Sequence, residues 1–148
     1  MSQTSTTDQT QTQTPPPQVW PTLRAHDARA LIRFLVDVVG FTEVVVYGDD
    51  QQVDHAELAW PLGGGVMLGS VRDSQIEPSA TTPGSVGAYV VADDIDALHA
   101  RVAASGATIT RPPQETDYGS REFAIKDPEG NRWTFGTYRG APSPLPPE

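Results

Sequence analysis

An internal repeat constrains this 148-residue chain more than any other feature of its sequence. Residues 25–31 match residues 92–98 at a shift of 67, and the same shift places Pro61 on Pro128. The segments around these two prolines read Trp-Pro-Leu-Gly-Gly-Gly-Val-Met-Leu-Gly and Asp-Pro-Glu-Gly-Asn-Arg-Trp-Thr-Phe-Gly. Two copies are fewer than the three or so that a stacked repeat array needs. The repeat therefore predicts one domain made of two similar modules.

Each copy has the same predicted order of elements. In the first copy Asp27 is a plausible N-cap, apolar residues recur at helical spacing as far as Val39, and Gly40 ends the helix. In the second copy the helix runs from Asp94 to Ser105. The predicted strands are residues 19–24, 42–47, 53–60 and 65–70, and then 86–91, 108–111, 121–126 and 132–137. This order predicts an α+β fold of two paired βαβββ modules, with the helices on one face of mainly antiparallel sheets.

The predicted domain covers residues 19–139 and lies between two segments that cannot form a core. Residues 1–18 are rich in Ser, Thr and Gln, and residues 140–148 are rich in Pro, so we expect both to be disordered tails. Within the domain we expect module one at 19–70, a linker at 71–85 and module two at 86–139.

Composition excludes several classes of function. The formal net charge is -9 at pH 7, which repels nucleic acids and attracts cationic small molecules. The chain has no cysteine, and disulfides, thiolate metal sites and cysteine nucleophiles are therefore absent. No apolar stretch approaches the roughly 20 residues that cross a bilayer, and the N-terminus has no secretory signal. We therefore expect a cytoplasmic protein that has neither nucleic acid nor a membrane as a partner.

Strand alternation predicts which side chains lie on the sheet face that the helices leave free. Ala56 and Leu58 belong under the helix of module one. His55 and Glu57 therefore point to the free face, as does Glu122, which is the repeat counterpart of His55. An aromatic and acidic face of this kind suits a small molecule with flat apolar parts and positive charge. The predicted free face consists of Trp20, Thr22, His55, Glu57, Met67, Tyr89, Glu122 and Thr134.

Two further candidate binding residues lie at the loop before the third strand of module two. Tyr118 lies within that loop, which is placed to close over a ligand. Arg121 begins the strand that follows, and it would then either meet an anionic group of the ligand or lie on the surface. Trp20 has three readings: it stacks on a planar ligand, it fills the position that a metal would occupy, or it lies in a dimer contact.

The sequence resembles the vicinal oxygen chelate superfamily, which includes glyoxalase I, extradiol dioxygenases, fosfomycin-resistance enzymes and bleomycin-binding proteins. It looks most like the small bacterial glyoxalase-like proteins of unassigned substrate, and the resemblance covers essentially the whole predicted domain. The segments that carry it are residues 27–41, His55-Ala56-Glu57-Leu58, residues 92–98 with Gly106-Ala107, and Asp127-Pro128-Glu129-Gly130-Asn131-Arg132-Trp133.

The resemblance also implies where a metal would be bound. Metal-using members have one ligand on the first strand and one on the last strand of each copy, usually His or Gln and then Glu. In this sequence those positions are Trp20, Met67, Gly87 and Thr134. None of the four is a suitable ligand for a divalent cation. We therefore predict neither a metal nor another cofactor.

The resemblance and the free face together favour a metal-independent small-molecule-binding protein. By analogy with bleomycin-type members, a homodimer would sequester a cationic or aromatic compound between its subunits. One alternative is a metal-dependent glyoxalase-like lyase or isomerase, or a dioxygenase, with a displaced metal site at His55, Glu57 and Glu122. The other is a metal-free enzyme that uses Glu57 or Glu122 as a base.

Overall fold

A computed structural model describes residues 18–72 and 82–142 of the chain. Residues 1–17 of the predicted N-terminal tail, most of the C-terminal tail and the middle of the predicted linker lie outside these residues. Module one contains β1 (Thr22–Ala25), α1 (Ala28–Arg33) with a π-helical continuation (Phe34–Val39), β2 (Thr42–Gly48), β3 (Val53–Ala59) and β4 (Gly65–Ser70). Module two contains β5 (Gly87–Val91), α2 (Ile95–Ala104), β6 (Thr108–Glu115), β7 (Arg121–Lys126) and β8 (Arg132–Gly136).

The predicted α+β fold of two βαβββ modules is confirmed. Each module forms a four-stranded sheet, with the orders β1-β4-β3-β2 and β5-β8-β7-β6. The first strand of each module pairs in parallel with the last, and the other pairs are antiparallel. Thr22 lies opposite Met67, and their repeat counterparts Tyr89 and Thr134 also lie opposite each other. The shift of 67 in the sequence is therefore a pseudo-symmetry of the fold, and it extends to the register of the β1–β4 and β3–β4 pairs and their counterparts in module two.

Both helices begin where the sequence predicts. The Asp27 carboxylate accepts a hydrogen bond from the Ala30 N–H at 3.1 Å, and the Asp94 carboxylate accepts one from the Ala97 N–H at 3.0 Å. Each carboxylate satisfies a donor that the first helical turn leaves without a partner inside the helix. Gly40 ends the first helix with a left-handed φ of 115°, a conformation that glycine adopts at low cost.

The end of the first helix is also held by the other module. The Arg101 guanidinium of α2 donates to the carbonyl oxygens of Val38 and Val39, at 2.9 and 2.6 Å. A Cβ atom at Gly40 would lie only 2.6 Å from the Arg101 guanidinium. Glycine is thus required here by the backbone angle and by the close approach of the arginine. The contact places a positive charge at a helix C-terminus, where it is electrostatically favourable.

One hydrophobic core joins the two modules. Its buried side chains come from both helices and from the helix-facing side of both sheets. The ring centroid of Phe41 lies 4.9 Å from that of Trp60, which is also in module one. It lies 5.7 Å from that of Trp133, which is in module two. Trp133 is only 1% exposed. The modules of a single chain therefore pack through their helical sides, and each sheet keeps its other face free.

The Asp127 carboxylate organises the turn between β7 and β8. One oxygen accepts from the backbone N–H groups of Glu129 and Asn131, at 2.9 and 3.0 Å. The other accepts from the Asn131 side-chain amide and the Trp133 indole N–H, both at 2.9 Å. Asp127 is 6% exposed, so water is a poor substitute for these partners.

The same turn ties module two to module one. The two carboxylate oxygens of Glu129 accept hydrogen bonds from the backbone N–H groups of His26 and Asp27, at 2.8 and 2.9 Å. These donors lie just before α1, where a negative charge also interacts favourably with the helix dipole. Glu129 of this turn therefore links the two modules.

Replacing Asp127 is expected to destabilise the fold strongly. Asp127→Ala leaves the buried Trp133 indole and Asn131 amide without acceptors, which should cost about 3 kcal/mol of unfolding free energy. Urea unfolding monitored by tryptophan fluorescence measures this loss. Asp50→Ala, at an exposed turn, is the control and should change the free energy by less than about 0.5 kcal/mol. A loss below about 1 kcal/mol for Asp127→Ala would contradict the role given to this turn.

Candidate functional site

A solvent-open cavity of about 500 Å³ lies on the free face of module two. β5 contributes a wall, the loop before β7 contributes another, and the segment after β8 closes a third side. The volume is in the range that small-molecule sites occupy. The residues that line it are Tyr89, Val91, Tyr118, Glu122, Tyr138, Arg139 and Gly140.

A buried carboxylate lies at the base of this cavity. Glu122 is 3% exposed, and it accepts a hydrogen bond from the Tyr118 hydroxyl at 2.8 Å. Its other oxygen lies 3.3 Å from the Arg111 guanidinium. On the neighbouring strand, a Cβ atom at Gly136 would lie 2.8 Å from Glu122 Cγ and 2.9 Å from the Tyr89 ring. The missing side chain at Gly136 therefore lets Glu122 and Tyr89 lie together over β8.

Three tyrosine rings surround the carboxylate. The Tyr89 hydroxyl donates to the Tyr138 carbonyl oxygen at 2.7 Å, and the rings of Tyr118 and Tyr138 meet edge to face at 5.6 Å. These contacts fix the rings, yet all three side chains remain partly exposed, between 42% and 54%. The cavity thus presents fixed aromatic surface above a negative charge, and such surface attracts flat and cationic groups.

The carboxylate also changes the chemistry of Tyr118. Its hydrogen bond to Glu122, together with desolvation and the negative charge, raises the pKa of the Tyr118 phenol above its usual value of 10.0. The protonated phenol is the donor in this contact, so it is favoured over the phenolate. Tyr118 is therefore a neutral hydrogen-bond donor at physiological pH.

The free face of module one carries a different and more exposed arrangement. His55 Nε2 lies 2.9 Å from the Glu57 carboxylate, and the Tyr47 ring stacks on the His55 ring at 6.4 Å. The side chains of His55 and Glu57 are 41% and 30% exposed, whereas that of Glu122 is 4% exposed. Although His55 and Glu122 are repeat counterparts, only Glu122 is a buried charge beneath aromatic rings.

The structure brings three of the ten predicted binding residues, Tyr89, Tyr118 and Glu122, into the cavity. Thr134 is the cross-strand neighbour of Tyr89 on the same face. His55, Glu57, Met67 and Thr22 occupy the sheet of module one, and Glu57 and Thr22 both lie opposite Met67. Trp20 precedes β1, and its ring lies over Gly65, where a Cβ atom would be 2.9 Å from it.

Arg121 does not reach the cavity. Its guanidinium bonds the Asp96 carboxylate through two nitrogens, with Nη2 at 2.8 Å, and contacts Glu115 at 3.3 Å. The hydrogen bond between Arg121 and Asp96 is the main cause that raises the pKa of Arg121 and lowers the pKa of Asp96. The contact with Glu115 also raises the pKa of Arg121. Arg121 thus forms a surface ion-pair network at the side of the sheet.

Sequence reasoning missed Arg111 and Tyr138. Strict alternation from Ile109, whose side chain packs on the core, places Arg111 on the helix side. A register shift between these residues instead sets Arg111 opposite Ala124, within reach of Glu122. The adjoining Pro112-Pro113 pair, which cannot donate ladder hydrogen bonds, was the available signal for this irregularity. Tyr138 follows the last strand, where strand alternation gives no prediction.

The positions that the resemblance assigns to a metal do not fit one. Met67 lies opposite Thr22, Thr134 lies opposite Tyr89, and neither pair offers an imidazole or a carboxylate. The displaced alternative also fails geometrically, because His55 and Glu57 bond each other in module one while Glu122 bonds Tyr118 in module two. Across residues 18–72 and 82–142, no group of three or more His, Cys, Asp or Glu side chains is arranged to hold a metal ion.

No helix in the described part of the chain has the length and apolar character needed to cross a membrane.

Neutralising Glu122 is expected to lower the pKa of Tyr118. In Glu122→Gln the phenolate no longer faces a negative charge, so it should form at lower pH than in the unmodified protein. Ultraviolet titration of phenolate absorbance measures this, and subtracting the curve of Tyr118→Phe isolates the Tyr118 signal. Because the folded-state pKa is raised, the contact stabilises the fold below the usual phenol pKa and loses that effect as pH rises through the folded value. An unchanged Tyr118 titration in Glu122→Gln would contradict the contact.

Comparison with known proteins bears on both the fold and the family. Residues 18–135 match the sequence model of the Glyoxalase/Bleomycin resistance protein/Dioxygenase superfamily. An uncharacterized protein of Mycobacterium tuberculosis (strain CDC 1551 / Oshkosh) is 30% identical over 126 residues, which cover 81% of this chain and 74% of that protein. The crystal structure of TioX from Micromonospora sp. ML1 is similar at a TM-score of 0.70 and 27% identity, over 81% of this chain and 97% of that one. A glyoxalase/bleomycin resistance protein from Streptomyces sp. CB03234 shares the fold at a TM-score of 0.62 and 23% identity, over 80% and 98% of the two chains.

Proposed function

Because this chain belongs to the glyoxalase/bleomycin resistance protein/dioxygenase superfamily, we propose that it is a metal-independent small-molecule-binding protein. Its ligand is a compound that combines a flat aromatic part with a positive charge, and it binds in the tyrosine-lined cavity of module two. The observation that carries this proposal is the buried Glu122 carboxylate beneath Tyr89, Tyr118 and Tyr138. Sequestration of such a compound in the cytoplasm would keep it from its target, which is a route to resistance against a cationic antibiotic.

The partners of Glu122 favour an additional positive group. A buried carboxylate needs compensation, and here it receives one short hydrogen bond from Tyr118 and a longer contact from Arg111. The hydrogen bonding of Arg111 is itself incomplete, because its Nε atom is buried and has no hydrogen-bond partner. A positive group of a ligand close to Glu122 would add to this compensation, whether or not it also donates a hydrogen bond.

The tyrosines favour a flat ligand. A cation held over a tyrosine ring gains about 0.5–2 kcal/mol, depending on how far it is removed from water. Stacking of an aromatic ligand on the same rings adds the burial of apolar surface. The net charge of -9 further raises the local concentration of cations around the protein.

Binding is proposed to need no metal, and the chemistry of the side chains supports this. At the strand positions where the resemblance places the ligands of metal-using relatives, this chain has Trp20, Met67, Gly87 and Thr134 in place of imidazole and carboxylate groups. Glu122 is a buried charge on the free face of module two, and its hydrogen bonds hold it toward Tyr118 and Arg111. Recognition therefore rests on hydrogen bonding, ring contacts and charge.

A pair of matched probes tests the proposal. N-methylquinolinium is flat and permanently charged, whereas quinoline has nearly the same shape and is uncharged at pH 8. We expect the cation to bind at least about tenfold more tightly, and Glu122→Gln to remove about that factor, equivalent to 1.4 kcal/mol. Isothermal titration calorimetry measures the dissociation constants. The matched control is His55→Gln, which changes the repeat counterpart of Glu122 on the other sheet and should leave both constants unchanged.

Two results would contradict the proposal. Equal affinity for quinoline and N-methylquinolinium would show that charge is not recognised. A loss caused by His55→Gln but not by Glu122→Gln would place binding on module one.

We also propose that the chain forms a homodimer. The free faces carry large exposed apolar side chains, among them Tyr47 at 58% and Tyr118 at 54% exposure. Contiguous apolar surface of this kind commonly marks an interface, and most soluble homo-oligomers are two-fold symmetric. A dimer that covers these faces would also shield the cavity from water.

Light scattering after size-exclusion chromatography is expected to give twice the 15.9 kDa mass of one chain. Tyr47→Asp introduces a charge on the free face of module one, away from the cavity, and should shift the mass toward that of a monomer. The control is His26→Asp, at an exposed position outside both free faces, which should remain dimeric. A mass of one chain for the unmodified protein at 100 μM would contradict the dimer.

A further inference from the structure

A second cavity adjoins the tyrosine-lined one. It has a volume of about 350 Å³ and lies at the seam between the modules, between the β5 edge and the turn that joins β3 to β4. Tyr89, Val91 and Arg139 line both cavities. The two cavities therefore adjoin at the edge of β5, with Tyr89 and Arg139 between them.

The walls of the seam cavity are apolar. Phe41, Trp60 and Trp133 contribute aromatic surface, and Leu62 lies at the turn with 48% of its side chain exposed. The polar atom of Trp60 is already satisfied, because its indole N–H donates to the Val91 carbonyl oxygen at 2.8 Å. The seam thus offers a surface that gains free energy when it is covered by an uncharged apolar group.

Charge distinguishes the two cavities. Among the described residues that line the seam, Arg139 is the only charged one, and its guanidinium is paired with Asp93. The tyrosine-lined cavity instead contains the buried Glu122. The tyrosine-lined cavity is therefore suited to a cation, and the adjoining seam cavity is suited to an apolar group.

We propose that the ligand is bipartite, with a flat cationic head in the tyrosine-lined cavity and an apolar arm that passes Tyr89 and enters the seam between the modules. This inference rests on the proposed function and adds the substrate class, an amphiphilic aromatic cation. The arm stays in contact with the protein as it passes from one cavity to the other, because the two cavities share lining residues. Each methylene that the seam buries fully should tighten binding by about fourfold.

The test is a series of N-alkylquinolinium ions with methyl, butyl and hexyl arms. From methyl to hexyl, the dissociation constant of the unmodified protein should fall by at least about thirtyfold, since five methylenes are added and burial is incomplete. In Leu62→Asn the wall of the seam becomes polar, and the gain should drop below about threefold. N-methylquinolinium should bind Leu62→Asn as it binds the unmodified protein, which also shows that this variant is folded.

The matched control is Val44→Asn, which makes the same type of change at a side chain 53% exposed on β2. This residue lines neither cavity, so the full gain with chain length should remain. A gain of less than threefold in the unmodified protein, or an equal loss in Leu62→Asn and Val44→Asn, would overturn the bipartite ligand while leaving the cation site in place. Failure of every member of the series, including N-methylquinolinium, would overturn the proposed function itself.

Discussion

The hydrogen bonds of Asp127 are the constraint on which the rest of this structure depends. They fix the turn before β8, hold the Trp133 indole inside the core and position Glu129. Glu129 in turn bonds the backbone at the start of α1. A single buried carboxylate thus couples the core of one module to the helix of the other. The Arg101 contacts at the other end of the same helix form a second link between the modules. Together these links hold the free faces of the sheets in place.

Two modules with one architecture have acquired different surfaces. Their strands keep the same register, and His55 and Glu122 occupy equivalent positions on the third strand of each sheet. The difference arises around them, because module two has the Tyr118 loop and the irregularity in β6 that brings Arg111 to Glu122. In module one the equivalent position remains open to solvent and forms a simple pair with Glu57. One half of a repeated fold thus carries a buried carboxylate beneath tyrosine rings, and the other half carries an exposed pair of His55 and Glu57.

The repeat, the caps and the strand alternation made most of the fold predictable. Asp27, Asp94 and Gly40 act locally, so their roles can be read from their neighbours in the sequence. The register shift at Arg111 could not be read in this way, because alternation assumes an uninterrupted ladder. The interactions of Glu129 were also hidden, since hydrogen bonds over 102 and 103 residues leave no local pattern. Within the site, sequence placed Glu122 on the free face, and only the fold shows that it is buried beneath three tyrosines.

The balance of charge in the cavity decides what kind of selectivity it can have. Arg139 at the rim is matched by Asp93, whereas Glu122 is compensated only in part by Arg111 at 3.3 Å, whose side chain is 41% exposed to water. Coulomb attraction to Glu122 therefore favours a cation over a neutral compound, but it does not select a flat one. The tyrosine rings change this, because their faces favour a cation and their area favours a flat one. The seam adds apolar burial, which does not depend on charge. Discrimination by this protein should thus come from the combination of shape, apolar length and a single positive group, and no one of these would be sufficient.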